Sequence, residues 1–342
     1  MRRKIATLLV VFLCAAFCLA QQSKYKPLPP FEMPADVEVR KADIYSEGTR
    51  MSAEVFTTKA NAGQKLPVIL MAHGWGGVAA SLRREAVDFA KAGYFVVTFD
   101  YRGWGRSDSR VILTGPPPAE KSKYRFTAEV QELREIVDPL EMIVDWQNAI
   151  HWVVSESQAD PERIGLWGTS LSGGLVVSVA ARDHRVKVIH GQVPALDGRW
   201  AMADGDEQAK AYVTTKNARA LTQREATRRA RGEIGYPTPG ATAVGNLVGA
   251  PVRFKFANYI PVEEVEWAPQ CAMQFVLAGK EELFDNRLNG IKAYERAKGP
   301  KNLVTIPEID HYGIYYVLEA RNKARDLAIA WFDRYLKGAS KK

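Results

Sequence analysis

Arg163-Ile-Gly-Leu-Trp-Gly-Thr-Ser-Leu-Ser-Gly-Gly174 decides the reading of this 342-residue chain. An apolar strand runs into a helix through a turn so tight that only small residues fit beside its apex, Ser170. A serine there is held at the carboxyl end of the strand, and the next backbone N–H, that of Leu171, points into the same space. Gly168 stands two residues before the apex. Two residues after it Ser172 replaces the usual glycine, and Gly173 and Gly174 still let the helix approach the strand closely. Ser172 falls on the first helical turn and faces away from the apex.

Working outward, Leu66-Pro-Val-Ile-Leu-Met-Ala-His-Gly-Trp-Gly-Gly77 is a second apolar strand that ends in His73-Gly74-Trp75 and a glycine-rich loop. Downstream, Met273-Gln-Phe-Val-Leu-Ala-Gly-Lys-Glu-Glu282 is a buried strand with carboxylates just past its end. Leu303-Val-Thr-Ile-Pro-Glu-Ile-Asp-His311 is a short strand and a loop ending in histidine. The order along the chain is therefore serine, acid, histidine. A hydroxyl needs a base to take its proton as it attacks a carbonyl, and the base needs an acid to hold its tautomer.

With these stretches the chain resembles the α/β-hydrolase superfamily over nearly all of its mature part, past the first twenty residues. Phe99-Asp-Tyr-Arg-Gly-Trp-Gly-Arg-Ser107 resembles that superfamily's loop after its next strand. Asp145-Trp-Gln-Asn-Ala-Ile-His-Trp152, the Ser170 segment and His311-Tyr-Gly-Ile-Tyr315 resemble the branch of dienelactone hydrolases and Xaa-Pro dipeptidyl peptidases. The resemblance implies Ser170 as nucleophile and His311 as base. Glu281 is the first candidate acid, with Glu282, Asp285 and Asp197 as alternatives. The backbone N–H groups of Trp75 and Leu171 would form the oxyanion hole. His73 is expected to order its own loop, and Asp100 and Arg102 to tie together the loop that follows their strand.

From Leu66 onward strand and helix alternate: strands at 66–72, 94–99, 163–168, 187–193 and 272–278, helices at 80–92, 140–156 and 171–182. Alternation of this kind gives a mostly parallel sheet covered on both faces, with chemistry at the carboxyl ends of its strands. Val37 to Thr58 reads as an antiparallel hairpin turning at Ser46-Glu-Gly48, and Val317–Leu336 as the closing helix. Together with the resemblance, this makes the expected fold an α/β-hydrolase core at 37–198 and 270–342, mostly parallel with helices on both faces. The rhythm breaks over 199–269, a basic helical stretch followed by a Gly/Pro-rich one, and here the resemblance implies an inserted cap over the pocket.

Arg2-Arg-Lys4, an apolar run to Leu19, and small residues before Gln21 read as a secretory signal peptide cleaved after Ala20. The expectation is a secreted or periplasmic protein with no stable membrane insertion after signal removal. Residues 21–36, with Pro27, Pro29, Pro30 and Pro34, form an extended arm. The net charge of +8 falls to +5 without Arg2, Arg3 and Lys4. That mild excess makes no case for nucleic acid. Cys271 alone survives cleavage, so no intramolecular disulfide is available, and it reads as a small core residue. The histidines are scattered without metal-ligand spacing and there is no phosphate loop, so no cofactor and no metal are expected. The expected partner is a small-molecule ester. Its rivals are a peptidase of the Xaa-Pro type and a catalytically silent binding protein.

Overall fold

The computed structural model describes residues 24–120, 122, 124–199, 215–237 and 249–338. The expected signal peptide lies outside the described residues, as do 200–214 and 238–248 of the expected insertion.

The fold grows from strands that are apolar on both faces. In β3 (Leu66–Ala72), Val68, Leu70 and Ala72 enter one core cluster, while Ile69 and Met71 enter the other. Strand β4 (Phe95–Phe99) does the same, with Phe95, Val97 and Phe99 on the first face and Val96 on the second. A strand with period-2 burial on both sides needs cover above and below. Helix α1 (Arg83–Lys91) lends Val87 and Phe89 to the second cluster. The late helix Leu318–Phe332 adds Trp331 and Phe332 to it. Helices α2 (Pro139–Val153) and α3 (Leu171–Ala180) cover the first face, with Trp146, Ile150 and Leu175 fully buried.

The central sheet has eight strands. The hairpin β1 (Val37–Ser46) and β2 (Thr49–Thr58) forms one antiparallel edge, in register from Val37 opposite Thr58 to Ser46 opposite Thr49. Strand β2 pairs antiparallel with β4; from β4 onward every neighbour is parallel, in the order β4, β3, β8 (Ala159–Thr169), β9 (Val186–Gln192), β11 (Ala272–Ala278), β12 (Lys301–Ile306). The chain leaves β3 for β4 on one side and returns to β8 on the other. The carboxyl ends of β3 and β8 therefore flank a topological switch point, where a crevice opens in such sheets.

Two small sheets sit apart from the main one. Strands β5 (Val111–Leu113) and β6 (Val130–Glu132) form an exposed ribbon that sequence periodicity does not announce. Strands β7 (Ile136–Val137) and β10 (Ala250–Pro251) tie the later part of the expected insertion to the body. The insertion's described helix, Thr215–Ala230, is anchored near that junction. Tyr236 has the guanidinium groups of both Arg110 and Arg229 5.8 Å from its ring centroid, and Lys255 pairs with Asp138, the residue that caps α2. The following stretch belongs to the main core: Phe256, Tyr259, Val262 and Val265 are buried in its first cluster. Cys271 is a buried free thiol. Among the described residues, no helix is long and apolar enough to cross a membrane.

Candidate active site

Ser170 has φ 54° and ψ −121°, a conformation that L side chains rarely adopt. Holding it costs on the order of 1–3 kcal/mol and needs over-determined surroundings. They are present. The Ser170 N–H donates to the Gln192 carbonyl at 2.9 Å, and the Ala195 N–H donates to the Ser170 carbonyl at 2.9 Å. The flanking glycines are obligatory for the same reason. A Cβ on Gly168 would stand 2.2 Å from the Ser172 carbonyl oxygen, and one on Gly174 would stand 1.9 Å from that of Ala195. The backbone is thus clamped between β9 and α3, and the Ser170 hydroxyl is left projecting from the sheet edge.

What it projects towards is His311. The imidazole Nε2 lies 3.1 Å from Ser170 Oγ, and Nδ1 lies 2.9 and 3.0 Å from the two oxygens of Glu281. The side chains of His311 and Glu281 are only 3% and 2% exposed. Three residues scattered over 141 positions thus form one hydrogen-bonded chain. Glu281 stands three residues past the end of β11, and its Oε1 also accepts the Leu283 N–H at 3.1 Å, which fixes the carboxylate. Glu282 takes another place: its Oε2 accepts the backbone N–H of His311 at 2.6 Å and so positions the loop rather than the ring. Burial, and the nearby Asp310 and Glu281 charges, push the Glu282 carboxyl above its usual value. Asp285 pairs with Arg287, and the fully buried Asp197 with Arg199. Of the four candidate acids, only Glu281 is bonded to the imidazole.

Gly74 lies against Ser170: a Cβ there would meet the Thr169 carbonyl oxygen at 2.8 Å and Ser170 Cβ at 2.9 Å. That contact brings the Gly74-Trp75 backbone beside the hydroxyl. The Trp75 ring stacks on Phe256 at 5.4 Å. Leu171 opens α3, so its N–H has no carbonyl one turn earlier in the helix to bond. Its own carbonyl accepts from Tyr259 Oη at 3.2 Å, which fixes the first turn from the far side. Ser172 Oγ is 3.0 Å from Tyr101 Oη, buried and away from His311.

His73 does order its loop. Its Nδ1 donates to the Gly74 carbonyl at 2.8 Å, and burial lowers its pKa, keeping the ring neutral. Asp100 accepts from the Ala79 and Arg106 N–H groups at 2.6 and 3.0 Å, joining two loops beside the site. Arg102 differs from expectation, because it reaches across to α2 and pairs with the buried Asp145. Burial raises the Asp145 pKa to about 6 in spite of that cation.

A cavity of about 650 Å³ opens over Ser170 and His311. Its described lining comes from the β3 loop, the start of α1, the ends of β8 and β9, and the segment 311–321. Leu28 and Phe31 of the proline-rich arm line it as well, and no described residue of 199–269 does. The arm's part was not legible beforehand. The one signal for it is the presence of large apolar side chains, Leu28, Phe31 and Met33, among prolines that would otherwise be solvated. Among the described residues, no group of three or more His, Cys, Asp or Glu side chains could hold a metal ion.

A family model described as X-Pro dipeptidyl-peptidase (S15 family) matches residues 47–238, more than half of the chain. The chain belongs to the S15 family. Among curated proteins, this S15 member is 28% identical over 301 residues to an uncharacterized 31.7 kDa protein of Escherichia coli, covering 80% of this chain and 92% of that one. It is 30% identical over 157 residues to the quorum-quenching protein AidA of Acinetobacter baumannii, covering 46% and 44%. Among solved structures, the α/β hydrolase GrgF of a Penicillium species superposes with a TM-score of 0.64 at 17% identity, covering 89% of this chain and all of that one. The S15 chain is a hydrolase of the α/β-hydrolase fold.

Proposed function

We propose that this S15 member is an exported serine hydrolase that cleaves a carboxylic ester of a small or medium acid through an acyl-enzyme on Ser170. The observation that carries this reading is the hydrogen-bonded chain from Glu281 through His311 to Ser170. His311 Nε2 takes the hydroxyl proton as Ser170 Oγ bonds to the carbonyl carbon. The Trp75 and Leu171 N–H groups hold the oxyanion, and preorganised donors of this kind are each worth about 3–4 kcal/mol of barrier. The intermediate collapses as His311 returns the proton to the departing alcohol. Water, deprotonated by the same imidazole, then releases the acid and restores Ser170. Glu281 holds the Nδ1–H tautomer and stabilises the imidazolium.

The family match favours a second reading, cleavage of Xaa-Pro peptides. Such a role calls for carboxylates that take the substrate's amine. Around this cavity Glu85 pairs with Arg321, Asp310 with Lys24, and Glu282 accepts from His311, so these three are already engaged. A panel of chromogenic esters of increasing acyl length, run beside aminoacyl-prolyl amides, separates the two. Ester turnover that Ser170→Ala abolishes supports the first reading, and turnover confined to the amides overturns it. Export rests on residues 1–20, and a mature protein beginning at Gln21 is its test. The cap role of the expected insertion, 199–269, rests on its place between β9 and β11 and falls to the part before Phe256, from which point the chain packs into the main core.

A further inference from the structure

The arm does more than lead into β1. Its first anchor is on the loop that carries His311. Lys24 and Tyr25 both bond to the carboxylate of Asp310, which also accepts the Gly313 N–H at 2.7 Å, and the Tyr25 ring stacks on Tyr316 at 5.6 Å. Its second anchor is on the opposite wall. Arg84 of α1 donates to the Pro29 carbonyl, and its guanidinium lies 5.2 Å from the Phe31 ring centroid. Between the anchors the arm crosses the mouth of the cavity, and Leu28 and Phe31 are half-buried with side chains in its lining. Phe31 also packs against the second core cluster, so its position is set by the body of the protein.

This wall has a defined chemistry. Val78 and Leu82 from the α1 side and Tyr312 and Tyr316 from the His311 side face the same space as Leu28 and Phe31. Of the charges there, Arg321 pairs with Glu85, its Nη2 donating at 2.6 Å, and Arg84 keeps its charge while donating to the Pro29 carbonyl of the arm. A substrate reaching away from Ser170 along this wall meets carbon and aromatic faces, and Glu85, the one carboxylate among its described lining residues, is already paired with Arg321.

We propose that the N-terminal arm builds the distal wall of the acyl site. Leu28 and Phe31 are the residues that select acyl groups with an extended apolar chain, and Lys24, Tyr25 and Arg84 are positioning residues that hold them there. This deepens the ester reading and rests on it. Proline suits the task, because a chain already restricted to extended φ loses little entropy on being laid across a groove.

The test is kcat/KM of the mature full-length protein for p-nitrophenyl acetate and p-nitrophenyl octanoate, read as the octanoate-to-acetate ratio. Phe31→Ala should lower the ratio about tenfold, the scale on which one hydrophobic pocket contact discriminates. Leu28→Ala/Phe31→Ala should lower it further. Lys24→Ala/Tyr25→Phe touches only the anchor and should lower the ratio in the same direction, while Lys24→Arg keeps it. A ratio within twofold of wild type in the first two variants, with melting temperatures unchanged, overturns the proposal while leaving the ester reading intact. If the wild-type protein shows no Ser170-dependent turnover of either ester, both fall together.

Discussion

The catalytic edge and the arm meet at one cavity but are held by different physics. Along the edge, Ser170 is fixed by backbone hydrogen bonds on both sides and by glycines that tolerate no added atom, and His311 and Glu281 are almost wholly buried. Across the mouth, the arm is held by side chains that meet solvent, and Lys24 is 63% exposed. Buried, fully bonded groups keep a geometry to fractions of an ångström, whereas exposed pairs contribute roughly 0–1 kcal/mol each. The difference teaches where to expect all-or-none effects and where graded ones.

The largest effect should come from the edge. Ser170→Ala and His311→Ala should each lower ester turnover by about 10⁴–10⁶ in kcat, with the melting temperature close to wild type, since residual rate comes from binding and the oxyanion site alone. Glu281→Gln should cost about 10³–10⁴, the scale seen when the orienting carboxylate of a triad is lost. Glu282→Gln should cost about tenfold, because it holds the His311 backbone instead of the ring. The reverse ranking, measured as kcat on one short ester, would transfer the role to Glu282. Gly74→Ala puts a methyl against the Thr169 carbonyl and Ser170 Cβ, so the loop that carries the Trp75 N–H must move. A loss of about 10²–10³ in kcat with little change in KM is expected, as for removal of one oxyanion donor.

Much of this edge was legible in the sequence. The runs Leu66–Ala72 and Ala272–Ala278 end where their apolar residues end, because a strand covered on both faces reads as a continuous apolar run over its buried length. The hairpin turns at Ser46-Glu-Gly48, where Gly48 takes φ 78°. Ser170 and His311 announced themselves by their places after strands. Glu281 was harder to separate from Glu282, since one residue of loop decides which carboxylate faces the ring, and loops carry no period. Strand β8 begins at Ala159, earlier than its apolar run, because Ala159 pairs with Leu66 beyond a register shift. The last helix stops at Phe332 and continues as the wider turn Asp333–Lys337. The arm was the least legible. Its place depends on contacts such as Lys24 with Asp310, 286 residues apart, and nothing local encodes them.

The smallest effects belong to the arm's clasp. Burial tends to raise the Asp310 carboxyl, but Lys24 and Tyr25 outweigh it and hold it below the usual carboxylate range, while the same contact raises Lys24. A carboxyl with a depressed pKa loses its contribution only as pH falls through that lowered value, and a raised lysine loses its own only as pH rises through the raised one. The octanoate-to-acetate ratio should therefore stay flat from about pH 5 to pH 9. A ratio that bends inside this window would show that other groups hold the arm. Raising salt from about 0.1 M to 1 M should change the ratio less than threefold, because the exposed pair is weak from the start and Arg84 and the stacked rings remain.

The most direct test of the central claim is the site of covalent labelling. The mature protein is treated with a fluorophosphonate that reports an activated serine, digested, and mapped by mass spectrometry. The expected result is one adduct on Ser170, lost in Ser170→Ala and strongly slowed in His311→Ala. An adduct on Ser172, or a folded wild-type protein that takes no label while its ester turnover persists in Ser170→Ala, would contradict it.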